Sequence, residues 1–473
     1  MKKINILILG FMTLFVMSCG DEFLSPLPES SIVTDTYFST DAELEAGIIA
    51  IYDAIQGQNS TSTTASRGVI NEYYVTEMRS DNTQTKSSEG EAAEFESYTI
   101  TANNGIIADY YRSFYKVIFR ANTVLESLDV ATDANRTAYE AEAKFTRAYA
   151  YFNLVRLYGD IPLVSSTISP ADTDIQYTRV ATTQVYDLIV SDLETAIAGL
   201  TLTNRNRGSK AAAQGLLAKV HLTLGNYTQA QVLCESIISS GNFDLAADFT
   251  ELFYTEANAE TIFSIGYTTG LTADSQFFSA EWMNAVGRTS GVNYVTQDAV
   301  DVLEALGGSR VVESYRIDPF QTQFFQVIKY LPNGEDGGAN GKTFVQDAAL
   351  SGNDWIVLRF ADVLLMHVEA IMGGSGSTSN SNAIASFKRV RDRAGLPTPA
   401  VITSQELLDE RRVELAFENQ RFFDLVRFGQ AQSVLSTFAS ANGLSFSSSD
   451  LLLPIPQYEI NLSNGLLTQN PIN

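Results

Sequence analysis

Apolar positions along this chain recur mainly at helical spacing, in blocks closed by glycine. Asp41 is placed to cap a helix running to about Gln56. Residues 57–106 lose the period and turn rich in Ser, Thr, Asn and Glu, which predicts loops with a few short elements. Two helices follow from about residue 108 to 158, parted near 132–135. In the second, Phe145, Ala148, Tyr149, Phe152 and Val155 make one apolar stripe. Gly159 is the expected C′ residue, and Pro162 blocks continuation. Val185, Leu188, Ile189, Leu193, Ala196, Ile197 and Leu200 mark the next helix. Its partner runs from an N-cap at Ser209 to Leu224, with Gly225 as terminator. A further helix carries Ala230, Leu233, Cys234, Ile237 and Ile238 on one face and ends at Gly241. Much later, Ala361, Leu364, Leu365, Val368 and Ile371 form another stripe, partnered by Ile384, Phe387, Arg391 and Ala394.

A single helix pair cannot bury its apolar face, but stacked pairs can, so this pattern predicts a mainly α fold of tetratricopeptide-like helical hairpins. Residues 242–355 interrupt it with scattered Gly, Asn and aromatics and short alternating runs such as 261–267. That segment reads as a loop-rich, minor-β ligand face carried on the helical scaffold. The divisions expected are 1–18 as a leader, 19–40 as a Ser-, Pro- and Thr-rich tether, 41–241 as the N-terminal helical region, 242–355 as the irregular face, and 356–473 as the C-terminal region.

The start of the chain changes the picture. Lys2 and Lys3 precede a mostly apolar run over 4–16 that is short for a membrane span and reads as a signal-peptide core. Ser18 and Cys19 then resemble a bacterial lipobox, in which the cysteine is acylated and becomes the new N-terminus. Acylation adds roughly 0.8 kcal/mol per buried CH₂, enough with several chains for a firm outer-membrane anchor. The 473 residues carry a net charge of −24, and cleavage before Cys19 removes two more positive charges. This acidity excludes nucleic acid as a partner, because no basic excess is present to neutralise phosphates. Two cysteines in such a length exclude a disulfide scaffold.

Enzyme chemistry is missing. His221 and His367 both sit within apolar helices without a ligand partner at i+4, and read as core or partly buried histidines. Neither a Gly-x-Ser-x-Gly elbow nor a Walker loop occurs. Cys234, on a core stripe, reads as a buried and inert thiol. No cofactor is expected. The stretch 333–341, Asn-Gly-Glu-Asp-Gly-Gly-Ala-Asn-Gly, offers oxygen ligands for calcium but reads more simply as a solvated loop. Sugar faces stack on aromatic rings while hydroxyls pair with Asn, Asp and Arg. Two stretches carry that mixture: 71–83, with Tyr73, Tyr74, Arg79, Asp81 and Asn82, and 276–287, with Phe277, Phe278, Trp282 and Asn284. Core packing is the competing reading for Tyr73 and Tyr74, and a small satellite core is the competing one for Trp282.

Five stretches in order carry a resemblance: LYGDIPLV at 157–164, WIVLRFADVLLMHVEA at 355–370, VRDRAGLP at 390–397, ERRVELAFENQRFFDLVRFG at 410–429 and LLPIPQYEINLSNGLLTQNP at 452–471. Behind a lipobox, they make the chain similar to the SusD/RagB family of Bacteroidetes surface glycan-binding lipoproteins. Gly20, Asp21 and Glu22 likewise resemble the acidic export signal of such lipoproteins. The resemblance implies a right-handed SusD-like scaffold on the outer face of the outer membrane. It also implies a SusC-like TonB-dependent transporter as partner, over which the chain acts as a lid, and a glycan ligand. The net negative charge points to a neutral glycan. One branch of the family handles peptides, so a peptide-binding lid of the RagB type is the alternative, and a cryptic glycosidase with two convergent carboxylates is a further rival. The motifs themselves read as structural. Arg411, Glu414, Glu418 and Arg421 fall at i, i+3, i+4 spacing and predict an ion-paired, buttressing helix face.

Overall fold

The computed structural model describes residues 38–60, 66–85, 90–168, 172–249, 251–256, 258–282, 293–319, 321–331 and 348–471. The N-terminal leader, Cys19 and the tether up to residue 37 lie outside the described residues, as do Asn284 and the stretch 333–341.

The expected helices form. In the first half they are α1 (Asp41–Gln56), α2 (Gly105–Glu126), α3 (Asp133–Tyr158), α4 (Thr182–Gly199), α5 (Lys210–Thr223) and α6 (Tyr227–Ser239). After α7 (Gln297–Leu306) come α8 (Phe360–Met372), α9 (Ser381–Arg393), α10 (Ser404–Glu414), α11 (Arg421–Arg427) and α12 (Ala431–Ala441). Each apolar stripe faces the next helix: α2 packs on α3, α3 on α4, α4 on α5, α5 on α6, α6 on α8 and α8 on α9. The serial stacking buries faces that no single pair covers, and the fold is mainly α.

The caps are close to expectation. Ser209 caps α5 by accepting from the Ala212 N–H, and Gly159 ends α3 at φ 71°. At α1 the cap is Thr40, one residue before Asp41. Its side chain accepts from the Glu43 N–H while Glu43 returns a bond to the Thr40 backbone. Asp41 is thereby free to join α1 to the start of α3, accepting from the Thr132 N–H at 2.7 Å and the Asn135 amide at 2.9 Å.

The strands are short. β1 (Thr83–Thr85), β3 (Asn293–Val295), β4 (Tyr315–Ile317) and β5 (Phe325–Val327) form a four-stranded sheet in the order β1-β3-β5-β4. β2 (Thr261–Ile265) pairs antiparallel with β6 (Trp355–Arg359), which runs straight into α8. β6 reaches the helical layer because α5 carries glycine at 215: a Cβ there would lie 2.2 Å from the Leu358 side chain. A mid-helix glycine costs about 1 kcal/mol in propensity, and the close approach accounts for it.

The charged motif is buttressing, but its geometry differs from the expected helix face. α10 ends at Glu414, and Phe417 and Asn419 take left-handed backbone angles, φ 66° and 58°, so the chain turns before α11. The four charges therefore do not lie on one helix, and each pairs with a distant element. Arg411 donates to Asp362 and Asp424, both at 2.9 Å. Glu414 accepts from Arg310 at 2.7 Å, from Arg359 at 2.6 Å, and from Arg393. Glu418 accepts from Arg359 at 2.7 Å and Lys329 at 2.8 Å. Burial works against the Glu414 charge, but Arg393, Arg359 and Arg310 outweigh it and hold the carboxyl well below its ordinary range. These pairs are buried, so their weight lies in the penalty for breaking them, about 3–5 kcal/mol when one partner is removed.

Candidate functional site

The fold brings the two stretches named from the sequence side by side. β1 continues the first and pairs with β3 just beyond the second, with Thr83 opposite Val295, Gln84 opposite Tyr294 and Thr85 opposite Asn293. The Tyr73 ring lies 5.7 Å from the Trp282 ring, which stacks on Tyr330 at 6.2 Å. Phe278 meets Tyr330 at 5.8 Å and Trp355 at 5.5 Å. Tyr74 packs on Tyr73 at 4.1 Å, and Phe277 lies 5.5 Å from the Arg67 guanidinium.

This cluster corrects the expected ligand platform. Trp282 is 1% exposed, Phe277 and Phe278 2%, Tyr73 2% and Tyr74 6%. Their surfaces are taken up by protein neighbours, because rings contributed by four separated segments meet in one place. Core packing is the reading that fits Tyr73 and Tyr74, and it extends to Trp282, Phe277 and Phe278.

Arg79, Asp81 and Asn82 are likewise buried and form a clamp. Arg421 donates two parallel bonds to the Asp81 carboxylate, each at 2.8 Å, and Arg412 donates to the Asn82 oxygen at 2.8 Å. Arg79 donates to the Asp450 carbonyl at 2.6 Å and lies 4.1 Å over the Phe422 ring. Burial opposes the Asp81 charge, yet Arg412 and Arg421 prevail and hold its carboxyl well below the usual range. Nearby Glu77 goes the other way. Burial pushes its carboxyl up to about 7, helped by the Asp81 charge and only partly offset by the Asn82 amide, the Asn419 backbone and Arg421. Arg412 and Arg421 of the 410–429 motif thus bond directly to the turn 77–82, which leads into β1.

What the clamp presents is one face of that sheet. Gln84 lies opposite Tyr294, and Arg316 lies opposite Gln326 and donates to its side-chain oxygen at 2.7 Å. Phe325 lies opposite Val295, so alternation puts Tyr294, Gln326 and Phe324 on the same side. The Tyr294 and Phe324 rings sit 4.4 Å apart. Gln84, Arg316 and Phe324 are half-buried and Tyr294 is 9% exposed. Gln326 is fully buried and Tyr294 nearly so, so the surface of this row is mainly that of Phe324, Gln84 and Arg316. An aromatic ring beside planar polar side chains is material for sugar recognition. Three of the four strands lie within 242–355, while β1 comes from the 71–85 stretch, and the sequence reading named none of these residues. Strands of three residues are too short for a period of two to stand out, and only their register brings the row together.

The comparisons with known proteins bear on this architecture. Residues 22–222 match the family model described as "Starch-binding associating with outer membrane", and residues 339–472 match the one described as "SusD family". The chain belongs to the SusD family. It is 28% identical over the full length of both chains to SusD-like protein P2 of Formosa agariphila. It is 23% identical to the starch-binding protein SusD of Bacteroides thetaiotaomicron over 76% of this chain and 77% of that one. A solved laminarin binding SusD-like protein superposes with a TM-score of 0.76 at 25% identity, covering 92% of this chain and all of the other.

In this SusD-family chain the remaining candidates have structural surroundings. His367 is 4% exposed and shares a hydrogen bond of 2.8 Å with the Ser386 hydroxyl, while His221 is 8% exposed. Burial lowers the pKa of both, which keeps them neutral. Cys234 is fully buried, and burial pushes its thiol far up. No cluster of three or more His, Cys, Asp or Glu suited to a metal ion occurs among the described residues. No helix among them is long and apolar enough to cross a membrane.

Proposed function

We propose that this SusD-family protein is a cell-surface lipoprotein that captures a neutral oligo- or polysaccharide on the β1-β3-β5-β4 face and passes it to a SusC-like TonB-dependent transporter as the lid over its barrel. Acylated Cys19 anchors the chain to the outer membrane. Binding breaks no bond, and the energy for uptake comes from the transporter and TonB.

The likeness to the laminarin binding protein along 92% of the chain carries the glycan reading. The Tyr294–Phe324 ring pair, with Gln84 and Arg316 beside it, supplies a chemical basis. The net charge of −24 disfavours a uronic or sulfated ligand by long-range repulsion. Calorimetry and affinity electrophoresis with laminarin, other neutral glucans, alginate and pectin test it. Retention by the neutral set, lost in the Tyr294→Ala/Phe324→Ala double variant, is the expected result. Tight binding only to the anionic set would overturn the neutral-glycan reading. Binding to peptides with none to any glycan would move the protein to the RagB-type alternative.

A further inference from the structure

α2 carries a second aromatic surface that shares no residue with the sheet face. Tyr111, Arg112, Tyr115 and Phe119 follow i, i+1, i+4 and i+8 spacing and line one wall of a cavity of about 330 Å³. The opposite wall is built by Gln176 and Tyr177, from the short helix Thr173–Tyr177, and by Glu459, from the short helix Gln457–Leu462. The volume lies at the small end of ligand-binding cavities, about 300–1,000 Å³.

The chemistry of the walls is divided. Tyr111 and Tyr115 pack at 4.7 Å, and the Tyr115 hydroxyl donates to the Pro162 carbonyl at 2.8 Å, so these rings are fixed. Phe119 is 50% exposed, an uncommon position for a phenylalanine ring beside a cavity. At the polar end, Arg112 donates its Nε–H to the Ala108 carbonyl at 3.2 Å, and its guanidinium lies 5.8 Å from the centre of the Tyr458 ring. The Glu459 carboxylate and the Gln176 side-chain amide make no hydrogen bond among the described residues. Burial pushes the Glu459 carboxyl up, and the Arg112 charge opposes this without a direct ion pair.

We propose that this groove is a second saccharide site, which takes about one or two neutral pyranose units by stacking on Phe119 and hydrogen-bonding to Arg112, Gln176 and Glu459. A sugar satisfies both halves of the wall: its CH-rich face covers Phe119, and its hydroxyls both donate to the carboxylate and accept from the guanidinium. An acyl chain or an apolar peptide segment would cover Glu459 with nothing to replace its hydration. An anionic sugar would meet its charge. The preference for a sugar among neutral polar ligands rests on the glycan-binding reading above. Two weak sites on one chain would hold a long polysaccharide by avidity while each releases a single segment readily.

Hydrogen exchange measured by mass spectrometry on the full chain, with and without millimolar laminaribiose, tests the proposal. Residues 108–119 and 173–177 are expected to gain protection in the wild type and equally in the Tyr294→Ala/Phe324→Ala variant. Phe119→Ala, at a half-exposed position that leaves the core untouched, should weaken the groove's apparent affinity at least tenfold, and Phe119→Tyr should restore it. Protection of the sheet strands without the groove, or groove protection unchanged in Phe119→Ala, overturns this site and leaves the sheet reading standing. Protection of the groove without the sheet supports this site and overturns the sheet as the primary face. Protection of neither, with laminaribiose and with maltose alike, overturns both.

Discussion

Glu77 is the carboxyl on which the turn leading into β1 can be tested most sharply. It is fully buried, and its Oε1 accepts from the Asn82 amide at 2.9 Å, inside the clamp that positions β1. Burial raises the carboxyl from 4.5 to about 7, and that interval corresponds to about 3 kcal/mol of folding free energy. Between those two values the unfolded chain has released the proton and the folded chain still holds it, so stability falls as pH rises. The stabilising contribution is complete below the unfolded value and is lost as pH passes through about 7. Glu77→Gln keeps the side-chain oxygen that Asn82 uses and removes the titration. The variant should match the wild type in acid, then become more stable as pH rises, with an advantage of about 3 kcal/mol above neutrality. For a chain of 473 residues that is a rise in Tm of about 3 °C. Paired urea titrations and thermal scans of both proteins at intervals from about pH 5 to pH 8 measure the difference, and subtraction removes the other carboxyls from the slope. A difference that stays flat across the range, or that favours the wild type at high pH, refutes the assignment of Glu77 as a buried carboxyl held protonated near neutrality.

Further outcomes follow from the same contacts. Asp81→Ala strands the buried Arg421 and Arg412 and should cost about 3–5 kcal/mol in urea unfolding, far beyond an exposed salt bridge. Trp282→Ala should cost a similar amount, about 3–5 kcal/mol, through the cavity it leaves, while laminarin affinity per folded molecule stays unchanged; a selective loss of affinity would restore Trp282 as a platform. Cys234 should resist a thiol reagent such as Ellman's reagent in the native protein and react once urea unfolds it, since burial both covers the sulfur and raises its pKa. Cys19→Ala should leave far-UV circular dichroism intact and move the protein from the membrane fraction to the soluble one; retention on the membrane would refute the lipobox reading.

Much of the scaffold was legible because it rests on local rules. Helical spacing, an N-cap at Ser209 and a glycine stop at Gly159 are properties of a few neighbouring residues, and the structure places α3 and α5 close to where they point. The motif at 410–429 could be recognised as structural for the same reason. Its partners could not be foreseen, because the left-handed turn at Phe417 and Asn419 breaks the helix whose face the spacing implied.

The site was legible only as a region. Aromatic and amide residues in an irregular stretch have the same composition whether they face a sugar or a core. Trp282 and Tyr73 became core because distant segments meet there: the two rings pack on each other, and Tyr330 and Phe417 pack on Trp282. Tyr294 and Phe324 came to one side of the sheet, Phe324 the more exposed, because short strands pair in one register. The sequence by itself determined the helices, since hydrophobic period and capping act within a few turns, and its five ordered motifs carried the family resemblance. Which rings are buried and which stay exposed was decided by tertiary contact alone, because exposure belongs to the packed surface and not to any residue in its own neighbourhood.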